Sequence, residues 1–370
     1  MKTLLKLLII TLTISTFTCN ANNPEAKQQI KVALLLDTSN SMDGLINQAK
    51  TQLWEIVNEL SYAKCGTNQP DLQIALYEYG NDGLEQSDGF IRQVLNFSED
   101  LDVISEKLFA LRTNGGSEYC GQVINTSLKN LAWGTNKNDL KIIFIAGNEP
   151  FTQGKLSYKE AASLANEKDV TVNTIFCGNY ENGISGKWQE GAHLTKGDYM
   201  TIDHNKEIVH IKTPYDKVII ELNNKLNKTY ISYGAEGYNK QKLQYEQDSK
   251  AEELNDEVVV KRAVSKSSRM YKNSSWDLVD AAKSKKMNYD DMNKKYLPKH
   301  LQNKSNIELK KYVETKQKER IIIQEKIQEL NVQRKKYVAT KQATSKNNDL
   351  ENALIGSIKK QAMKKNFSWK

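Results

Sequence analysis

Asp37, Ser39 and Ser41 stand at every second position directly after an apolar run over residues 30–36. One carboxylate and two hydroxyls at that spacing offer hard oxygen donors, the ligand type that suits Mg²⁺, Ca²⁺ or Mn²⁺. The run Val32-Ala33-Leu34-Leu35-Leu36 has the continuous apolar character of a strand buried on both faces. The oxygen donors then fall at the strand's C-terminal end, where open α/β sheets bind ligands. Taken alone, the same five residues would also serve as a Ser- and Asn-rich helix cap.

The rest of the first 230 residues supplies the elements that such a site needs. Residues 42–62 carry Leu45, Ile46, Ala49, Leu53, Ile56, Val57 and Leu60 at helical spacing. Strands are expected over 72–79 and 90–97, joined by an Asn-, Asp- and Gly-rich hairpin at 81–89. Helical patterns at 101–111 and 119–131 flank a Gly-rich turn at 113–117. Further strands are expected at 141–146, 170–176 and 199–202. Between them lie a helix that opens on the capping box Ser157–Glu160 and a short helix at 186–194. Residues 217–226 close the series as a helix. Strands alternating with helices predict an α/β class, with a doubly wound, mostly parallel six-stranded sheet.

The D-x-S-x-S stretch at Asp37, with this α/β pattern over residues 29–230, resembles the metal-ion-dependent adhesion site of the von Willebrand factor A (VWA) domain family, whose fold is Rossmann-like. The family's second metal loop typically reads Gly-Gly-Thr before a helix. Gly115-Gly116-Ser117 stands there, and Ser117 keeps the hydroxyl. The third loop departs: Gly147 occupies the usual aspartate position, followed by Asn148 and Glu149, either of which could give an oxygen directly or through water. The resemblance thus implies one divalent ion, Mg²⁺, Ca²⁺ or Mn²⁺, at Asp37, Ser39, Ser41, Ser117, Asn148 and Glu149. Few charged ligands mean weak retention. It further implies recognition of another protein, whose Asp or Glu would complete the coordination shell, and no covalent chemistry.

The ends and the composition bound the biology. A basic start, Lys2 and Lys6, precedes an apolar stretch at 7–17, the pattern of a secretory signal peptide over residues 1–21, too short to span a bilayer. Two processing routes stay open: ordinary cleavage near Ala21, or lipidation of Cys19, in which case the lipid is the chain's only membrane tie. The chain is therefore expected in the periplasm or cell envelope. Cys120 and Cys177 both fall at the metal-bearing edge of the expected sheet, so either they form a disulfide or both are small buried hydrophobes. Trp188, Tyr119 and His193 could line the same edge, though core packing is the commoner fate of such a tryptophan. Tyr271 and Trp276 are expected inside the helical region.

Charge divides the chain. Residues 1–230 hold 22 Lys and Arg against 27 Asp and Glu, whereas residues 231–370 hold 31 against 18. Residues 231–250 read as a linker and 251–370 as a basic, mostly helical region. Its long helix, 305–343, opens on the capping box Ser305–Glu308. Leu309, Val313, Lys316, Arg320, Ile323, Ile327, Leu330, Arg334 and Tyr337 alternate three and four apart along it. This seam suits a coiled coil interrupted by three cations, self-association, or a hairpin with residues 350–363. Two further readings are weighed against protein recognition. One is a metal-independent envelope protein whose basic helices bind anionic polymer or lipid. The other, remote, is a phosphoryl-transfer enzyme with Asp37 as nucleophile, which would want an acid two residues on. No nucleic-acid partner is expected, and no G-x-S-x-G, Walker or H-E-x-x-H sequence occurs.

Overall fold

The computed structural model describes residues 28–66, 68–202, 211–284, 287–342 and 349–369. The expected signal segment and Cys19 lie outside the described residues. Six strands form the sheet: β1 (Gln29–Asp37), β2 (Asp71–Tyr79), β3 (Ile91–Ser98), β4 (Leu140–Gly147), β5 (Thr171–Cys177) and β6 (Tyr199–Ile202). Their order is β3-β2-β1-β4-β5-β6, all parallel except β3, which runs antiparallel to β2. This is the doubly wound order in which a crevice opens beside the first strand. The antiparallel edge follows from the short connection between β2 and β3, which permits only a hairpin.

Alternation along β1 sorts its side chains onto two faces. Ile30, Val32, Leu34 and Leu36 enter one core, Ala33 and Leu35 the other. The second face is covered by α3 (Cys120–Asn130), α4 (Tyr158–Glu167) and α6 (Trp188–His193), the last preceded by the single turn α5 (Tyr180–Ser185). The first face is covered by α1 (Asp43–Ser61), α2 (Leu101–Phe109) and α7 (Asp216–Asn227). That same core also takes in Val258, Val259, Val260, Ala263 and Val264 from α9 (Asp256–Lys266), far along the chain.

The segment expected as a linker is instead largely α8 (Gly237–Leu254), which packs on α2 and α9. It lacks an apolar stripe because the residues it buries are mostly polar: Gln244, Gln247 and Asp248 join Ala251. These serve an ionic network. Arg262 of α9 donates to Asp248 Oδ1 at 2.6 Å and to Asp102 Oδ1 of α2 at 2.7 Å. Tyr271 donates to the other Asp102 oxygen at 2.5 Å, and Lys266 to Asp248 Oδ2 at 2.7 Å. Burial would raise the Asp248 pKa, but Lys266 and Arg262 hold it well below the ordinary carboxylate range.

After α10 (Leu278–Lys283) and the turn α11 (Lys299–Gln302), the long α12 (Asn306–Gln342) turns its seam inward against α7, α9 and α10. Leu309 and Val313 meet Ile231, Leu278, Leu297 and Leu301, while Ile327 and Leu330 enter the main core. The seam's interrupting arginines are ionic contacts: Arg320 bonds Asp277 at 2.5 Å and Asp280 at 2.8 Å, and Arg334 bonds Asp216 of α7 at 2.9 Å. The last helix, α13 (Asp349–Met363), packs on α1 and β6, and Ser368–Trp369 pairs antiparallel with Ala63–Lys64. The two charge regimes meet here. Glu59 of α1 pairs with Lys359 at 2.6 Å and with Lys335 at 3.5 Å, and Asp198 pairs with Lys360 at 2.7 Å. Among the described residues no helix is long and apolar enough to cross a membrane.

Removing Arg262 leaves Asp102 and Asp248 buried and short of a cation. Arg262→Ala is expected to lower unfolding stability by about 3–5 kcal/mol, read as a shifted denaturant midpoint. An unchanged midpoint would mean that the network contributes nothing net.

Candidate functional site

Asp37 ends β1 with its side chain fully buried. Its register partner on β2 is Tyr79, whose backbone oxygen accepts from Thr38 N–H at 2.9 Å. Asp37 Oδ1 accepts from Ser39 N–H at 2.7 Å, which fixes the turn that leads through the single turn Asn40–Met42 into α1. Ser39 is buried; Ser41 contributes its backbone to the same turn.

The 113–117 loop is tied to this turn. Asn114 N–H donates to Thr38 O at 2.9 Å, and Gly115 O accepts from Asp82 N–H in the β2–β3 loop. Gly116 has no room for a side chain, since a Cβ there would stand 2.5 Å from Gly80 O. Glycine lets the two loops touch. The touching loops set half-buried Ser117 and buried Glu118 just ahead of α3. Glu118 N–H donates to Gln153 Oε1 at 2.5 Å.

Glu118 is a candidate site residue that the sequence reading did not name. Its carboxyl meets that of Asp37, and both are within reach of Ser39. A Cβ at Gly80 would stand 2.7 Å from Glu118 Cγ and 2.9 Å from Asp37 Oδ1, so both side chains crowd one point. Asp37 Oδ2 and Glu118 Oε2 are buried with no hydrogen-bond donor. Burial raises the Glu118 pKa, and the neighbouring Asp37 carboxyl pushes it further, to about 9. Burial likewise raises Asp37. Two carboxyls so placed cannot both ionise without a cation, and the pair holds one proton in the absence of one. The signal for Glu118 in the sequence was its position, directly after the Ser117 hydroxyl.

The third loop has the order read from the sequence. Gly147 ends β4, with Asn148 half-buried and Glu149 exposed just beyond it. Glu149 takes part through its charge, which raises the pKa of both Asp37 and Glu118. Its backbone oxygen accepts from Trp188 Nε1 at 2.8 Å. Trp188 is a core residue, wedged against Phe151 and Phe176. Tyr119 is half-buried edge-on to Phe90, and His193 is exposed at the end of α6. Tyr271 and Trp276 are buried as expected, both against Tyr230.

No disulfide joins Cys120 and Cys177; both are free, buried thiols. The sheet itself separates them. Cys120 lies in the core beneath α3, 3.8 Å from the Tyr79 hydroxyl, and Cys177 lies in the core on the opposite face. Both do reach the C-terminal edge, but alternation along β5 sends residue 177 to the other side.

Among the described residues no three His, Cys, Asp or Glu side chains converge as a metal cluster. The donor set brought together is the Asp37 and Glu118 carboxyls with the Ser39 side chain beside them. Two orphaned, buried carboxylate oxygens fit a hard divalent cation.

Residues 31–184 match the family model of the von Willebrand factor type A domain, and this part of the chain is a VWA domain with the fold described above. Solved structures with a similar fold include the conserved hypothetical protein BatB from Bacteroides thetaiotaomicron, at 17% identity, covering 47% of this chain and 90% of that one, TM-score 0.36. The vWF domain of the type V pili tip protein Mfa5 from Porphyromonas gingivalis is similar at 12% identity, over 48% of this chain and 90% of that one, TM-score 0.35. The pilus adhesin SpaC from Lactobacillus rhamnosus GG is similar at 13% identity over 48% of this chain, TM-score 0.36; the chain spans only 28% of its length. No curated protein matches the chain.

The raised carboxyl sets a sign for pH dependence. The folded state binds the Glu118 proton more tightly than the unfolded chain does. Its contribution is therefore complete below the ordinary carboxyl value of 4.5 and is lost as pH rises toward about 9. In chelator, the melting temperature is expected to fall across that window, and less so in Glu118→Gln. Parallel profiles for the two proteins would contradict the shared proton.

Proposed function

We propose that this chain is an exported, envelope-associated protein-recognition module whose VWA domain binds its partner through one divalent ion. Export is supported by the basic start and apolar stretch of the first residues. Recognition is supported by the VWA match over residues 31–184. The observation that carries the metal is the buried Asp37 carboxylate at the end of β1, whose Oδ2 has no donor although Ser39 N–H satisfies Oδ1.

In this reading Asp37 provides the charge, and Ser39, Ser41 and Ser117 provide hydroxyl oxygens from two loops. Asn148 and Glu149 flank the third side, where an exposed carboxylate can act through water. The ion, when bound, supplies a Lewis-acidic contact for an oxygen of the partner, an Asp or Glu side chain. The chain's own residues bind and orient; none is placed to carry a covalent step. Within the basic helices Arg262, Lys266, Arg320, Arg334 and Lys359 serve structure, because each is paired with an acid.

Isothermal titration of Mg²⁺, Ca²⁺ and Mn²⁺ into the purified protein tests this reading. Saturable binding in about the millimolar range or tighter is expected, and Asp37→Ala should abolish it. No binding by the wild type at that concentration overturns the reading.

A further inference from the structure

The sheet edge beside Asp37 has a second buried carboxyl, with one oxygen unpartnered, on one side and a filled space on the other. On the filled side, a Cβ at Gly147 would stand 2.5 Å from the Tyr79 hydroxyl, 3.1 Å from Asp37 Oδ2 and 3.2 Å from the Trp188 ring. Tyr79 is held there: it is fully buried and donates to Ala146 O at 2.9 Å. No acidic side chain can enter at 147 without displacing it. On the other side, Glu118 reaches Asp37 past Gly80 and is 3% exposed, with Oε2 lacking any donor. Nothing within the fold requires a charge at 118. Its backbone N–H is already used by Gln153, and the loop is pinned by Asn114 and Gly115.

We propose that Glu118 is a direct carboxylate ligand of the divalent ion, entering from the 113–118 loop and, with Asp37, replacing the acid that position 147 has no room to carry. This rests on the metal reading above. Three geometric features converge on it. Asp37 and Glu118 crowd the same point beside Gly80; their orphaned oxygens are both buried; and the space at 147 is occupied by Tyr79. A site with two carboxylates holds a divalent ion more firmly than one with a single acid, because affinity follows the number of charged ligands. The expectation of a weakly held ion, drawn from the small number of charged ligands, changes accordingly.

The test uses the full-length protein, Mn²⁺ titration, and Tb³⁺ luminescence lifetimes in H₂O and D₂O, which count the waters on the bound ion. Glu118→Gln is isosteric and keeps the buried volume; its melting temperature in chelator reports whether it folds. Glu118→Gln is expected to weaken Mn²⁺ binding on the order of tenfold or more and to add coordinated water. Glu118→Asp, which keeps the charge, is expected to bind between the two. If Asp37→Ala abolishes binding while Glu118→Gln binds as the wild type does with an unchanged water count, Glu118 is not a ligand and the proposal falls, although the metal reading stands. If the wild type binds no ion, both fall. If Glu118→Gln does not fold, Glu118→Asp decides, since affinity and water count equal to those of the wild type would overturn the proposal.

Discussion

The buried Arg262 guanidinium is the contact on which the arrangement of this chain turns. It is fully enclosed, lies over the Trp54 ring of α1, and reaches acids on α2 and α8 at once. An unpaired charge in such a place would cost several kcal/mol. The position of α9 therefore depends on Asp102 and Asp248 both being present, and α8 must lie against α2 to deliver Asp248. Once α9 is fixed, its valines pack against α1 and α7 in the core on that side of the sheet. The helical region is thus the outer half of the VWA domain's own core. The acid-rich first part and base-rich second part are complementary surfaces of one packed body, as the pairs from Glu59, Asp198 and Asp216 show.

The opposite constraint operates at the C-terminal edge of the sheet. β1 is enclosed on both faces to its last residue, so Asp37 is buried by the strand that carries it. Gly80, Gly116 and Gly147 each lie where a Cβ would press on a neighbour, and together they let three loops close around that carboxyl. Tyr79 and Trp188 fill what remains, which leaves the polar groups facing one another. An acid in such a space finds its partner within the loops or in a cation.

The sequence made the central sheet legible because β1 and β4 are continuous apolar runs and the flanking helices keep their periodicity. Both helix starts were legible for the same local reason, Ser157 as a simple N-cap and Ser305 as a full capping box. Ser157 accepts from Lys159 N–H at 3.2 Å, and Ser305 and Glu308 bond reciprocally at 2.8 and 3.3 Å. What was hidden is long-range. α8 reads as a linker because its buried side is polar, and polarity is diagnostic of exposure only where no distant charge waits for it. The interrupted seam of α12 looked like a damaged coiled coil, whereas Arg320 and Arg334 face acids about forty to over a hundred positions away. The sheet edge shared by Cys120 and Cys177 gave no warning that β5 would turn residue 177 to the other face. Glu118 escaped because it lies next to a recognised ligand position rather than on it.

The charge at the site exceeds what folding asks of it. Ser39 N–H needs one acceptor, and a neutral amide at position 37 would provide it; the 113–118 loop is secured by its backbone. Yet two acids share a space where neutral groups of the same shape would avoid the desolvation cost. At neutral pH the pair must retain a proton against its ordinary tendency, or bind a cation that relieves both charges. The first leaves Asp37 Oδ2 and Glu118 Oε2 with a single proton between two carboxyls; the second would use both oxygens. The second is the state that the proposed metal reading requires, and it sets the pair at the C-terminal end of β1, the sheet edge where folds of this order bind ligands.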